Sequence, residues 1–280
     1  MSALNIQQNL AAAGDAMKVS MQRMATGSRI NSAADDAAGM AVSESLSKDI
    51  SGAKVAQTNI QLGSNLLSTS EGALNAMKTN IQRIRDLSEQ ASNGTYSTKS
   101  KTAIKSEIDA RVLEVKRLAD SSEFNGVKLF DDSTTGASGK GVNLQIGSGA
   151  DANNTLTLDN TLFKSVTASS LGVTAALITN AFADGAAATT FTSLLAGCDT
   201  ALDKITEKKT SIGAFQNRLT SATSNLKTQT TNLTAARSTI QDTDIAEESA
   251  NYVQNQILQQ ASASLLAQAN QAPSIAINLI

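Results

Sequence analysis

Apolar residues recur along this chain at alternating intervals of three and four over long stretches. Steps of seven from Leu46 meet Leu46, Ala53, Ile60, Leu67, Leu74, Ile81 and Ser88, and the interleaved row is Ala56, Gly63, Ser70, Met77, Ile84 and Ala91. Two such rows, sustained over about six heptads, predict one coiled-coil helix roughly 70 Å long at 1.5 Å per residue. The Ala, Gly and Ser in these rows let a partner helix approach closely. A second series, Cys198, Ile205, Ile212, Leu219, Leu226, Leu233 and Ile240, has Ala201, Phe215, Ala222 and Ala236 between its members. Lys208 and Gln229 interrupt that second row, so the seam is expected to be partly wet there. Seams of matching length predict that the two helices pack alongside each other. Between them, Ile104, Ile108, Val112, Val115 and Ala119 mark a shorter amphipathic helix, with Gly94 at the turn before it.

The two ends carry thinner stripes. Leu10, Met17, Met21 and Met24 form one, and Val253, Ile257, Ala261 and Leu265 the other, each flanked by Gln, Asn and Ser. A helix with so narrow an apolar face is marginal alone. Each end is therefore expected to need a partner helix, with neighbouring copies of the chain supplying part of the burial. The middle differs again. From about 131 to 188 the chain is rich in Gly, Ser, Thr, Asn and Ala; Val142, Leu144 and Ile146 alternate, as do Leu156 and Leu158. The GSGADANN between them reads as a hairpin loop, so a small β element is expected. Residues 181–192 show no clear period and predict no element. The fold class is mainly α: long coiled-coil helices, the N- and C-terminal ones packed together, with a β-hairpin region at about 131–175.

Composition narrows the chemistry. Among 280 residues, 23 Lys and Arg stand against 25 Asp and Glu, a net charge of −2, so no global basic field favours nucleic acid or an anionic membrane. Histidine is absent, which removes His-based triads, HExxH zinc sites and imidazole general bases. The single cysteine, Cys198, excludes an internal disulfide or a thiolate zinc cage and sits where a small buried apolar residue belongs. Asp35 and Asp36 are a poor ligand set and fit a loop bend or helix start better. GSGADANN lacks the Lys-Ser/Thr of a phosphate-binding loop. No enzyme activity, cofactor or metal is expected. All six Phe lie between 124 and 215, Trp is absent, and the first 95 residues hold no aromatic, so the ends lack the usual anchors of a globular core. The start MSALNIQQNL carries no early cation, and no apolar run approaches the roughly 18 residues of a membrane span. Neither a cleaved signal nor an anchor is readable.

The segment IQRIRDLSEQ (81–90) offers a candidate contact surface. Ile81, Ile84 and Ser88 belong to the seam, so Arg83, Leu87 and Gln90 are expected to project away from it. Arg83 and Leu87 are four apart and neighbours on one face. The reading is of an exposed leucine between polar groups.

Several longer motifs carry a resemblance. ATGSRINSAADDAAGMAVSE (25–44), TSEGAL (69–74), EFNGVKLF (123–130), IGAFQNRL (212–219) and NQILQQASASLLAQANQAP (255–273) closely resemble bacterial flagellins, in the same order. The likeness covers about 1–175 and 193–280. The middle departs, because it lacks the larger variable outer domains of many flagellins. The resemblance implies a subunit exported unfolded by a type III apparatus and polymerised into an extracellular flagellar filament for motility. Its implied partners are other copies of itself, an export chaperone, and cap and junction proteins. It also implies a domain plan: 1–44 and 242–280 as the inner coiled coil, 45–192 and 193–241 as the two halves of a helical domain. In flagellins recognised by Toll-like receptor 5, an Arg and a Leu four apart and a Glu on the next helix form the recognition surface. The matching positions here are Arg83, Leu87 and Glu107, with Gln90 beside them. The same face would serve contacts between protofilaments. A hook–filament junction protein shares such termini and is the alternative within the class; LLAQANQAP favours the filament subunit. A soluble coiled-coil secreted effector is the alternative outside it.

Overall fold

Both long seams form the helices that their spacing predicts. The structure is a computed structural model that describes residues 2–130, 137, 141–183 and 188–277. Part of the expected hairpin region (131–136 and 138–140), and 184–187 within the unassigned stretch, lie outside the described residues. In chain order the elements are α1 (Ser2–Thr26), α2 (Ala37–Ser92), α3 (Thr98–Ser121), β1 (Glu123–Phe124), β2 (Val127–Lys128), β3 (Val142–Gln145), β4 (Thr155–Leu158), α4 (Asn160–Phe163), α5 (Ala168–Leu171), α6 (Ala175–Ala181), α7 (Ala188–Gln241) and α8 (Ile245–Ile277). Two compact units result, one of 1–51 with 229–280 and one of 52–228. Helices α2 and α7 contribute to both.

In the unit of 52–228, the α2 rows from Ala53 to Ala91 are buried throughout. Ser70 and Ser88 tolerate that burial because each hydroxyl donates to the carbonyl one turn back, of Leu66 (2.9 Å) and Ile84 (2.7 Å). Helix α7 runs antiparallel to α2. Arg85 Nε donates to Asp199 at 2.7 Å and Lys209 Nζ to Asn75 at 2.6 Å, and the numbers in each pair add to 284. Cys198, Ile205, Ile212, Leu219 and Leu226 are buried along α7. Desolvation pushes the Cys198 thiol up to about 11, leaving an inert filler of the seam. Helix α3 buries Ile104, Ile108, Val115 and Ala119.

The expected middle hairpin forms, and its register pairs Val142 with Leu158 and Leu144 with Leu156, antiparallel. Its seat on α2 corrects one expectation. At Gly63 the partner that comes close is a strand residue, not a helix: a Cβ there would run into Leu144 Cδ1. At Gly52 a Cβ would meet Ser148 Cβ at 2.7 Å. A second, shorter hairpin lies in EFNGVKLF, where Asn125 (φ 51°) and Gly126 (φ 78°) join β1 to β2. That Asn-Gly pair is the usual signal for a two-residue turn with positive φ.

In the unit of 1–51 and 229–280, α1 packs antiparallel to α8. Gly27 (φ 69°) ends α1, its N–H donating to the Arg23 carbonyl at 2.8 Å. The following linker is tied to the end of α7: Arg29 N–H donates to Gln241 O (2.6 Å), its guanidinium to Ile240 O (2.8 Å), and Thr243 N–H to Gly27 O (3.0 Å). Asp35 holds the bend by accepting from Asn31 N–H (3.0 Å), Ser32 N–H (2.8 Å) and the Ser32 hydroxyl (3.0 Å). Those backbone bonds lower its pKa. Asp36 accepts from Gly39 N–H at 2.9 Å as α2 starts, so the acidic pair organises backbone.

Candidate functional site

Two surfaces were legible as candidates, the paired terminal helices and the Arg83 face. On α1, Leu10, Met17 and Met24 are half-buried toward α8, with Ala13 and Ser20 buried between them. Met21 is exposed and lies off this line. The larger correction concerns α8. Its buried and half-buried positions are Glu248, Ser249, Tyr252, Asn255, Gln259, Ser262, Leu266 and Ala269, a largely polar line at three-four spacing. Val253, Ile257, Ala261 and Leu265 all face outward instead. Steps of four advance 400° around a 3.6-residue helix, so that stripe drifts about 40° per step and cannot follow one neighbour. The polar line repeats on average every 3.5 residues and can.

The α1–α8 contact is therefore weak in apolar content. Arg23 lies 3.7 Å from Glu248, whose side chain is almost wholly buried, and the Ser249 hydroxyl is 3.4 Å from Met24 Sδ. The stripe left outside includes Leu258, and Ala250, Val253, Gln254, Ile257 and Leu258 line a shallow apolar groove. Together these side chains form a contiguous exposed apolar run on one helix.

At the second surface, α2 and α3 bring Arg83 and Glu107 together: Arg83 Nε donates to Glu107 Oε1 at 3.0 Å. Arg111 adds a contact of 3.8 Å to the same carboxylate oxygen. Gln90 is exposed and donates to the Tyr96 hydroxyl at 2.8 Å. Leu87 does not join them at the surface. It is 2% exposed and part of the core cluster, which overturns the reading of an exposed apolar anchor. Helix α2 has two neighbours here, α7 and α3, so a third row flanking the seam is buried as well. Leu66, 6% exposed, stands three heptads before Leu87 in that row. Arg83, Gln90 and Glu107 remain as a polar, partly self-paired face.

Among the described residues no three His, Cys, Asp or Glu side chains gather as metal ligands, and no helix is long and apolar enough to cross a membrane.

Comparison with known proteins accounts for the long paired helices. The model of the bacterial flagellin N-terminal helical region matches residues 1–135, and that of the C-terminal helical region matches 195–280. The flagellin of Bacillus subtilis is 36% identical over 302 residues, covering 100% of this chain and 97% of its own. The flagellar filament 30.7 kDa core protein of Treponema maltophilum is 35% identical, covering 96% of this chain and 94% of its own. A solved structure described as a flagellar hook-associated protein of Vibrio parahaemolyticus shares the fold at 14% identity, with a TM-score of 0.55 over 72% of this chain and 98% of that one. With both terminal regions matched and relatives aligned end to end, the chain belongs to the bacterial flagellin family and is a flagellar filament subunit.

Proposed function

We propose that this subunit is exported unfolded by a type III flagellar apparatus and polymerises outside the cell, with the outer stripe of α8 supplying contacts between copies. The observation that carries this reading is the orientation of α8. It turns a polar line toward α1 and leaves Val253, Ile257, Leu258 and Leu265 exposed. Repeated head-to-tail burial of such a stripe gives a heterologous interface that does not close, and hence an open helical polymer. Before assembly the same stripe needs cover, a role that suits an export chaperone; cap and junction proteins would meet it at the ends of the polymer. Seeding purified monomer with filament fragments tests the reading by negative-stain microscopy. Long filaments growing from the seeds are expected. Folded monomer that never extends them would count against it and favour the soluble effector.

A second reading rests on the Arg83–Glu107 pair. Arg83, Leu87 and Glu107, with Gln90 beside them, match the positions that, in flagellins resembling this one, meet Toll-like receptor 5. With Leu87 buried, the proposed contact is a charged and hydrogen-bonding face without an apolar anchor, and it would also lie between protofilaments. Reporter cells exposed to wild-type and Arg83→Ala monomer decide the matter. Lower potency of the variant is expected, and equal potency would leave the face as a filament contact alone.

A further inference from the structure

The short helical turns that follow the middle hairpin are held on α7 by two lysines one turn apart. Lys208 Nζ donates to the carbonyls of Thr161 (2.7 Å), Leu162 (3.2 Å) and Lys164 (3.2 Å). Lys204 Nζ donates to those of Ser170 (3.1 Å) and Leu171 (3.2 Å). Each lysine thus satisfies carbonyls at the end of one short turn, α4 or α5, which would otherwise lack partners. The position that interrupts the α7 seam is a cap.

These residues line a cleft of about 400 Å³, to which Lys164 and Ser165 also contribute. Its electrostatics are one-sided. Lys105, Lys116 and Lys128 each have a carboxylate within ion-pair distance. Among the described residues, Lys164, Lys204 and Lys208 have none within 4.0 Å. Glu207 lines the cleft as its one carboxylate and pairs with none of the three. Burial of a cation without a counter-charge is unfavourable. Lys208 registers the cost: desolvation, with the Lys164 charge, brings its ammonium down to about 8 although Glu207 opposes the fall. Independently, the Ser165 hydroxyl oxygen is buried and has no hydrogen-bond partner. A polar atom so placed normally has one.

We propose that this cleft binds a small tetrahedral oxyanion, inorganic phosphate or the terminal group of a phosphate monoester. An ammonium carries three N–H donors. Lys208 uses all three on carbonyls and supplies nearby positive charge. Among the described residues, Lys204 has one N–H left, Lys164 has no side-chain bond, and the Ser165 hydroxyl has no partner. Two charged donors and a hydroxyl suit an anion with several oxygens, since charge-assisted hydrogen bonds are the strong ones. Glu207 compensates the Lys208 charge only in part, so bound phosphate would add to it and the Lys208 ammonium should hold its proton to higher pH. All of these groups belong to the unit of 52–228, and the proposal is independent of filament assembly.

The test is calorimetric titration of full-length monomer with inorganic phosphate, ionic strength held constant with sodium chloride. Saturable binding at one site per chain, with a Kd of about 1 mM, is expected. Lys164→Gln and Ser165→Ala should each weaken it about tenfold, with the fold checked by circular dichroism. Lys18→Gln, at an exposed lysine on α1, should leave it unchanged. In ¹³C spectra of the lysine ε-carbons, the Lys208 titration midpoint should rise when phosphate is present. No saturable binding, or binding that neither cleft variant weakens, overturns the proposal. So does a loss that Lys18→Gln shows equally, because the effect would then be unspecific screening.

Discussion

Replacement of Leu265 by Asp separates assembly from folding with two readouts. Leu265 is 57% exposed in the single chain, so burial within the subunit contributes little there. A substitution at such a position should change folding stability by about 0.5 kcal/mol or less. On the proposed reading of assembly, the polymer covers the remaining exposed area. Full burial of a leucine is worth about 1.5–3 kcal/mol, so the share still outstanding is about 1–2 kcal/mol. An aspartate there also loses hydration without gaining a partner, a further penalty of several kcal/mol. At least about 3 kcal/mol per subunit is therefore lost, which raises the critical concentration by about 100-fold. Leu265→Ala, which removes only the apolar share, should raise it about fivefold. Pelleting across a concentration series measures the first quantity, and circular dichroism melting measures the second. The neighbouring position supplies the contrast: Leu266 is half-buried in the line that faces α1. Leu266→Asp should lower the helical signal of the monomer itself. Leu265→Asp filaments at the wild-type critical concentration would refute the reasoning, and so would a monomer that melts far below wild type.

Other expectations follow from the same geometry. Leu87→Ala should cost about 2–5 kcal/mol of folding stability because the side chain is 2% exposed. Arg83→Ala should cost under about 1 kcal/mol, since its pair with Glu107 is solvent-exposed; denaturant melts compare the two. Gly63→Val should destabilise the subunit by about 1–3 kcal/mol, because the added side chain meets Leu144 of the hairpin, whereas Gly72→Ala, with open space around it, should not. For Lys208 the folded pKa is about 8, below the ordinary lysine value of 10.5, so between those limits the unfolded chain binds more protons and folding stability should gain with rising pH. Lys164, Lys204 and Glu207 share that cleft, so chemical denaturation at pH 7.5 and 10 should compare wild type with Lys208→Met. The variant should lose this part of the pH dependence, and identical slopes would contradict it.

The helices were legible because burial and periodicity agree along α2 and most of α7: each seam has a steady neighbour, so the apolar rows name the buried face. The hairpin was legible for a similar reason, its alternation matching a strand with one face on α2. What the stripes could not show is which face of a terminal helix meets its partner helix. In α8 the polar line of Asn255, Gln259 and Ser262 faces α1, while Ile257 and Leu265 face out. A chain that belongs to a polymer need not bury its apolar residues within one copy. Leu87 failed for the opposite reason. It flanks the two best rows, and only the position of α3 against α2 decides that a third row is covered. The Leu66–Leu87 interval of three heptads was the available signal. Lys208 looked like a wet interruption because a sequence does not show which backbone carbonyls will lie opposite a lysine.

The account stands on the outward stripe of α8 being what the polymer buries. Single-cysteine labelling measures that directly, since the native Cys198 is fully buried and its thiol stays protonated well above neutral pH. Ile257→Cys, at a position 60% exposed in the subunit, should react rapidly with a maleimide as monomer. After polymerisation the rate should fall by about 100-fold or more, as expected for a site that opens only when a subunit leaves the filament. A thiol at position 257 that reacts equally fast in monomer and filament would contradict the account.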